Sequence, residues 1–273
     1  MRFGLFLPPF DEFAEPRRVS ELARSAEDAG WDGLFLWDHI LAEPGMPVAD
    51  SWITMATIAA ATSRIRLGAL VTPLSRRRPW VLARQIATLD RLSEGRLVVG
   101  IGLGDDGWRE FSSFDEVTEP SERGQVLDEA LELLQRLLAG EPVHYSGEHY
   151  AVESTEFLPR AVQQPVPIWA AVRWPNRKPL ARAARLHGCF PIFPATDPPR
   201  LPDPADVRAI REQLARLGAG PGYDLVVRSA GLTDSRDGIA ELEQAGVTWT
   251  LAGFGPGQPV AQVEAVVFDG PPS

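Results

Sequence analysis

Short apolar runs rich in β-branched and aromatic residues recur along the chain, and nearly every one precedes a segment whose apolar positions repeat at helical spacing. Eight runs are predicted as strands, at 2–7, 33–37, 65–71, 96–103, 167–172, 189–193, 224–229 and 247–254. Helices are expected near 16–29, 51–62, 79–93, 121–139, 178–187, 204–217, 236–245 and 258–266. The fourth and fifth runs are apolar almost throughout, the pattern of parallel strands buried on both faces. Eight parallel strands, each trailed by a helix, predict an α/β fold of the closed (β/α)₈ TIM-barrel type; a doubly wound open sheet, with edges to protect, is the alternative. One stretch breaks the rhythm. Residues 141–165 predict a β-hairpin and loop inserted on the barrel rim before the fifth strand, with Ser146-Gly147-Glu148 as the turn. No tract is long enough to divide the chain, so residues 1–273 are expected to form one domain.

Composition narrows the chemistry. With 37 acidic against 27 basic residues the formal net charge is −10, which disfavours a non-specific grip on nucleic acid or anionic lipid. An anionic ligand would then need a local basic pocket. Cys189 is the only cysteine, so neither an intrachain disulfide nor a cysteine-based metal site is available, and no metal is expected. The N-terminal apolar run is too short for a signal peptide and no segment suits a bilayer; a cytoplasmic location is expected.

In such a barrel, catalytic groups stand at the carboxyl ends of the strands. The second strand ends in Trp37-Asp38-His39, where His39 could exchange a proton or donate to a bound ring, or merely cap a turn. The fourth ends in Gly102-Leu-Gly104-Asp105-Asp106, where either carboxylate could orient a polar group, or both could be solvated. Gly102, Gly104 and Gly107 match a dinucleotide-binding fingerprint, but no helix begins there and two aspartates would repel a pyrophosphate; glycines that admit a flat ring to the backbone suit the context better. After the fifth strand, Arg173, Arg177 and Lys178 gather around a predicted helix start with Asn176 as its cap, a candidate phosphate cradle or else a solvated charge run. Arg76-Arg77-Arg78 is expected to be structural. Trp37, Trp108 and Trp174 could wall an apolar pocket or simply fill partly buried edges.

Several blocks in order resemble the luciferase-like flavin-dependent oxidoreductases, a bacterial (β/α)₈ group that includes coenzyme F420-dependent members. They include Ala26-Glu-Asp-Ala-Gly-Trp-Asp-Gly-Leu-Phe-Leu-Trp-Asp-His39, Ala87-Thr-Leu-Asp-Arg-Leu-Ser-Glu-Gly-Arg-Leu-Val-Val-Gly-Ile-Gly102, the stretches 2–8, 59–68 and 123–134, the hairpin 145–150 and the proline-spaced 159–169. The resemblance implies a flavin or deazaflavin across the barrel mouth, backed by a bulge at Ala69, Leu70 and Val71 with a cis Leu70-Val71 peptide. It places Asp38 and His39 at the reactive ring and Asp105 where F420-dependent members carry an acid, with a proton-transfer role for His39 and Asp105. Gly104, Arg173, Trp174, Asn176, Arg177 and Lys178 complete the expected cofactor site, although residues 171–177 replace the Gly-Gly phosphate loop of many relatives. The expected reaction is monooxygenation of a small organic substrate by reduced FMN and O₂, with a separate flavin reductase as an expected partner. The alternatives are hydride transfer with F420 and a non-catalytic flavin-binding protein. The helices at 52–61 and after Pro79 resemble the family's dimer-forming face, so a homodimer is expected.

Overall fold

The computed structural model describes residues 1–195, 201–229 and 236–272. Its strands are β1 (Arg2–Leu7), β2 (Gly33–Leu36), β3 (Arg66–Ala69), β4 (Thr72–Pro73), β5 (Val99–Gly102), β6 (Val143–Ser146), β7 (Ala151–Ser154), β8 (Ile168–Arg173), β9 (Gly188–Ile192), β10 (Asp224–Ser229) and β11 (Trp249–Gly253). Its helices are α1 (Pro16–Asp28), α2 (Ser51–Ala61), α3 (Pro79–Leu92), α4 (Pro120–Ala139), α5 (Arg177–Ala183), α6 (Pro204–Arg216), α7 (Arg236–Gln244) and α8 (Val260–Asp269). The large sheet runs β3-β2-β1-β11-β10-β9-β8-β5-β4 with parallel pairings throughout. A parallel bridge between Leu67 and Leu97 joins its two ends, so the fold is a TIM barrel and the open sheet is excluded.

The third predicted strand is divided. Leu70 and Val71 bulge between β3 and β4, the peptide bond joining them is cis, and the two pieces pair with different neighbours. Gly100 and Gly102 make room for this: a Cβ on Gly100 would stand 2.2 Å from the Ala69 carbonyl oxygen, and one on Gly102 only 2.3 Å from Val71 Cγ2. Gly100 and Gly102 therefore accommodate the neighbouring bulge.

Strand alternation sends two sets of side chains to two cores. Phe6, Phe35, Leu70, Val98, Trp169, Phe190, Val226, Trp249 and Leu251 fill the barrel interior. The other set packs against the helices, which meet it with apolar stripes such as Val19, Leu22, Ala23 and Ala26 on α1. Pro16 suits the first turn of α1, where its missing N–H is no loss, and the Glu15 side chain accepts from Arg17 N. The predicted hairpin is present as antiparallel β6 and β7. The helix expected over 178–187 is shorter, because the chain turns toward β9 after α5. Residues 196–200, within the proline-dense stretch 194–204, and residues 230–235 lie outside the described residues.

Candidate active site at the barrel mouth

Three successive strand ends converge on one buried ion cluster. After β2 come Trp37, Asp38 and His39; after β4 come Arg76 and Arg77; after β5 a loop delivers Glu110. Asp106 shapes that loop, its Oδ1 accepting from Phe111 N at 2.8 Å and Ser112 N at 3.2 Å, and the Phe111 bond leads the causes that hold its carboxyl below the usual range. Phe111 is buried, with the guanidinium carbons of Arg123 and Arg76 at 4.5 and 5.7 Å from its ring centroid. Pinned in this way, the loop turns Glu110 inward, and its side chain is only 2% exposed.

Glu110 Oε2 lies 2.6 Å from His39 Nδ1, while Oε1 accepts from Ile40 N at 2.6 Å and Arg76 Nη1 at 3.0 Å. Burial pushes the Glu110 carboxyl upward, but His39, the Ile40 N–H and Arg76 together outweigh it, so the pKa is lowered. An ionised carboxylate only accepts, so His39 Nδ1 carries the proton in this bond. His39 Nε2 is then the working nitrogen and has no partner among the described residues.

Aromatic rings surround the histidine. Ring centroids of Trp108, Phe10 and Trp37 lie 4.9, 5.8 and 5.9 Å from the imidazole, and Phe6 stands 5.5 Å from Trp37. Trp37 Nε1 is buried with no hydrogen-bond partner among the described residues. Beside this wall a hollow of about 240 Å³ lies between Pro8–Phe13 and Gly255–Val260, after the first and last strands of the barrel.

The expected site residues divide. His39 stands at the mouth as anticipated, and Leu70 and Val71 border the barrel interior from the bulge, with Ala69 directly before them in β3. Asp38 is at the strand end but enclosed: Arg77 Nη2 donates to both its oxygens at 2.8 and 2.9 Å and Trp52 Nε1 to Oδ2 at 3.2 Å, so its carboxylate positions the chain and does not face a ring. Of the arginine run, Arg76 and Arg77 neutralise Glu110 and Asp38. Asp105 does not join His39; it is exposed, accepts from Gly107 N at 2.8 Å and lies 3.7 Å from Arg173 Nη2. The acid on the histidine is Glu110, missed in the sequence because it stands 71 residues from His39 on a loop without periodicity.

Gly104 has φ +75° and carries the turn, with Phe111 and Pro73 filling the place a Cβ would take. Trp108 is at the mouth, whereas Trp174 turns to the outer core and donates to Asp206 Oδ1 at 3.0 Å, so it does not wall the mouth. Asn176 occupies the cap position of α5 without the expected side-chain hydrogen bond. Arg177 and Lys178 are exposed at the start of that helix, and Arg173 ends β8.

A family model of luciferase-like monooxygenases matches residues 1–245. The chain belongs to this luciferase-like family. It is 34% identical over 188 residues to an F420-dependent glucose-6-phosphate dehydrogenase of Microbacterium testaceum, a match covering 66% of this chain and 54% of that protein. The chain thus spans about half the length of the first curated relatives it matches. Among solved structures, the monooxygenase RslO1 of Streptomyces bottropensis superposes with TM-score 0.71 at 26% identity, covering 90% of this chain and 75% of that one. The coenzyme F420-dependent tetrahydromethanopterin reductase of Methanopyrus kandleri gives TM-score 0.77 at 21% identity, covering 98% and 96% of the two chains, a likeness of fold. In this luciferase-like chain, no helix among the described residues is long and apolar enough to cross a membrane.

Proposed function

We propose that this luciferase-like protein is an oxidoreductase that binds F420 across the barrel mouth and couples hydride transfer to proton transfer by His39. The carrying observation is the 2.6 Å pair of His39 Nδ1 with buried Glu110, which leaves Nε2 toward an aromatic mouth. The donor set fits a planar polar ring: Trp37 Nε1, which has no partner among the described residues, would donate to a ring carbonyl, and Phe6, Trp37 and Val71 would supply apolar surface. Arg173, Arg177 and Lys178 would meet the phosphate of its tail. When bound, the deazaflavin takes up or gives out a hydride. His39 Nε2 removes the proton from a substrate hydroxyl, or returns it to a carbonyl in the reverse direction. Glu110 holds the tautomer that makes this feasible and offsets the imidazolium charge, while the Phe10 and Trp108 rings keep water from the transfer.

The second reading is monooxygenation with reduced FMN and O₂, favoured by the likeness to RslO1 at 26% identity. Titrating the purified protein with F420 and with FMN, followed by absorbance and fluorescence, separates the two. Tighter F420 binding and turnover without oxygen support the first reading; FMN preference with oxygen consumption supports the second. A homodimer remains our proposal for the assembly, supported by the exposed Ile53 on α2 and Val81 on neighbouring α3, and sedimentation tests it.

A further inference from the structure

The alternation that sends Val226 of β10 into the barrel sends Arg228 inward too, one layer higher and nearer the mouth. Its guanidinium carbon lies 5.6 Å from the Trp37 ring centroid and 5.9 Å from that of Phe6. A Cβ on Gly253 of the adjacent strand would stand only 2.2 Å from Arg228 Nε, so the missing side chain at Gly253 is what lets the arginine lie across the mouth. An arginine offers five N–H donors. Here the recorded hydrogen bond is one long contact of 3.5 Å from Nη2 to the Phe254 carbonyl, and among the described residues no carboxylate pairs with it. Desolvation by its surroundings lowers its pKa from the ordinary arginine value.

Other arginines are engaged differently. Arg77 forks onto Asp38, Arg182 pairs with Asp128, and the exposed Arg173 at the end of β8 faces Asp105 at 3.7 Å. In a chain of net charge −10, Arg228 is an exposed cation lying over aromatic rings, and no carboxylate among the described residues competes with a ligand for it. Planar guanidinium is suited to carboxylate and phosphate, which it grips with two parallel bonds.

We infer that Arg228 is an anion-binding subsite for the substrate, which is a small alcohol or carbonyl compound carrying a carboxylate or phosphate. Arg228 and His39 both lie within 6 Å of the Trp37 ring, at 5.6 and 5.9 Å, so the anionic group and the reacting oxygen belong to one short molecule. The assignment of the anion to substrate rests on the cofactor reading above; the presence of an anion site at Arg228 does not.

Calorimetric titration of cofactor-free protein with inorganic phosphate, and separately with acetate, tests the site itself. Wild type should bind, and Arg228→Gln should weaken binding at least tenfold with an unchanged melting temperature. Gly253→Ala, which displaces the guanidinium while retaining its charge, should weaken phosphate binding about as much and guards against a folding defect in the first variant. Equal phosphate affinity in wild type and both variants overturns the site. Repeating the titration on F420-saturated protein distinguishes the source: undiminished phosphate binding at Arg228 supports a substrate anion, and competition between phosphate and F420 assigns Arg228 to the coenzyme tail and overturns the inference. If F420 fails to bind while phosphate still binds through Arg228, the cofactor reading fails and the anion site stands.

Discussion

Each end of the barrel carries two buried carboxylates, Glu27 and Asp90 at the base and Asp38 and Glu110 at the mouth, and the two ends differ in what they leave undone. At the amino-terminal end, Glu27 accepts from Ser63 N, Arg64 N and Ile65 N, fixing the entry to β3, and its pKa is lowered because these bonds outweigh its burial. Asp90 there accepts from Val162 N and Gln163 N, and Arg96 donates to the carbonyls of Ala59, Thr62, Ile65 and Ser93. The charged side chains are consumed by backbone. At the mouth, Glu110 is as deeply buried, yet the group it orients keeps an open nitrogen, Trp37 Nε1 has no partner, and Arg228 has no carboxylate among the described residues. At the base the charged groups are spent on backbone and hold the cylinder closed; at the mouth some are not, although unpartnered indole N–H groups also occur at Trp169 and Trp249 inside the barrel. The same residue types serve both ends, and the difference lies in the hydrogen-bond accounting.

Breaking the mouth should therefore alter chemistry, and breaking the base should alter stability. The largest expected effect is that of His39→Ala, which should lower turnover by roughly 10²–10⁴-fold while leaving cofactor affinity and melting temperature nearly unchanged. Steady-state kinetics beside a binding titration check this, and undiminished turnover would remove His39 from the reaction.

Glu110→Gln comes next, with an expected loss of about 10²-fold in kcat, since the amide no longer demands the Nδ1–H tautomer. It also sharpens the comparison through pH. The Glu110 pKa is below its ordinary 4.5, so its contribution to stability is complete above that value and disappears as pH falls through the lower folded-state value. The stability gap between wild type and variant should narrow as the solution is acidified below about pH 5. A gap independent of pH would mean that Glu110 is not held ionised.

At the opposite end, Glu27→Gln should cost about 1–3 kcal/mol in denaturant unfolding by disturbing the backbone donors it satisfies. Turnover per folded molecule should stay the same. The smallest effect is that of Arg173→Ala with Lys178→Ala, which should weaken binding of a phosphorylated cofactor by about three- to tenfold, in keeping with exposed charges. A riboflavin-like analogue without phosphate should bind both proteins equally, and an equal loss for both ligands would contradict a phosphate role.

These contrasts also show what the chain made legible. Apolar runs placed the barrel strands because inward and outward positions of a parallel strand are both buried, and the Ser146-Gly147-Glu148 turn placed the hairpin. The apolar run alone hid the division of the third strand, since Leu70 and Val71 are as hydrophobic as their neighbours; the family resemblance supplied the bulge and its cis Leu70-Val71 peptide, and Gly100 and Gly102 opposite make room for it. His39 could be located because it follows a strand directly. Glu110 could not, because its inward direction depends on Asp106 bonding Phe111 and on arginines from two other elements flanking that ring. Arg228 shows the same limit: on a strand end it resembles any exposed cation, and its significance lies in Gly253 beside it and in the rings it lies over, with no carboxylate partner among the described residues.

The most direct trial of the account is titration of the purified wild-type protein with F420 and FMN, read by cofactor fluorescence and repeated with Trp37→Phe, which keeps an aromatic ring but deletes the unpartnered donor. Saturable binding of F420, weakened several-fold in the variant, is the predicted result. Failure of both coenzymes to bind, or binding indifferent to the loss of the indole N–H, would contradict the claim that the open polar groups of the mouth are a redox-cofactor site.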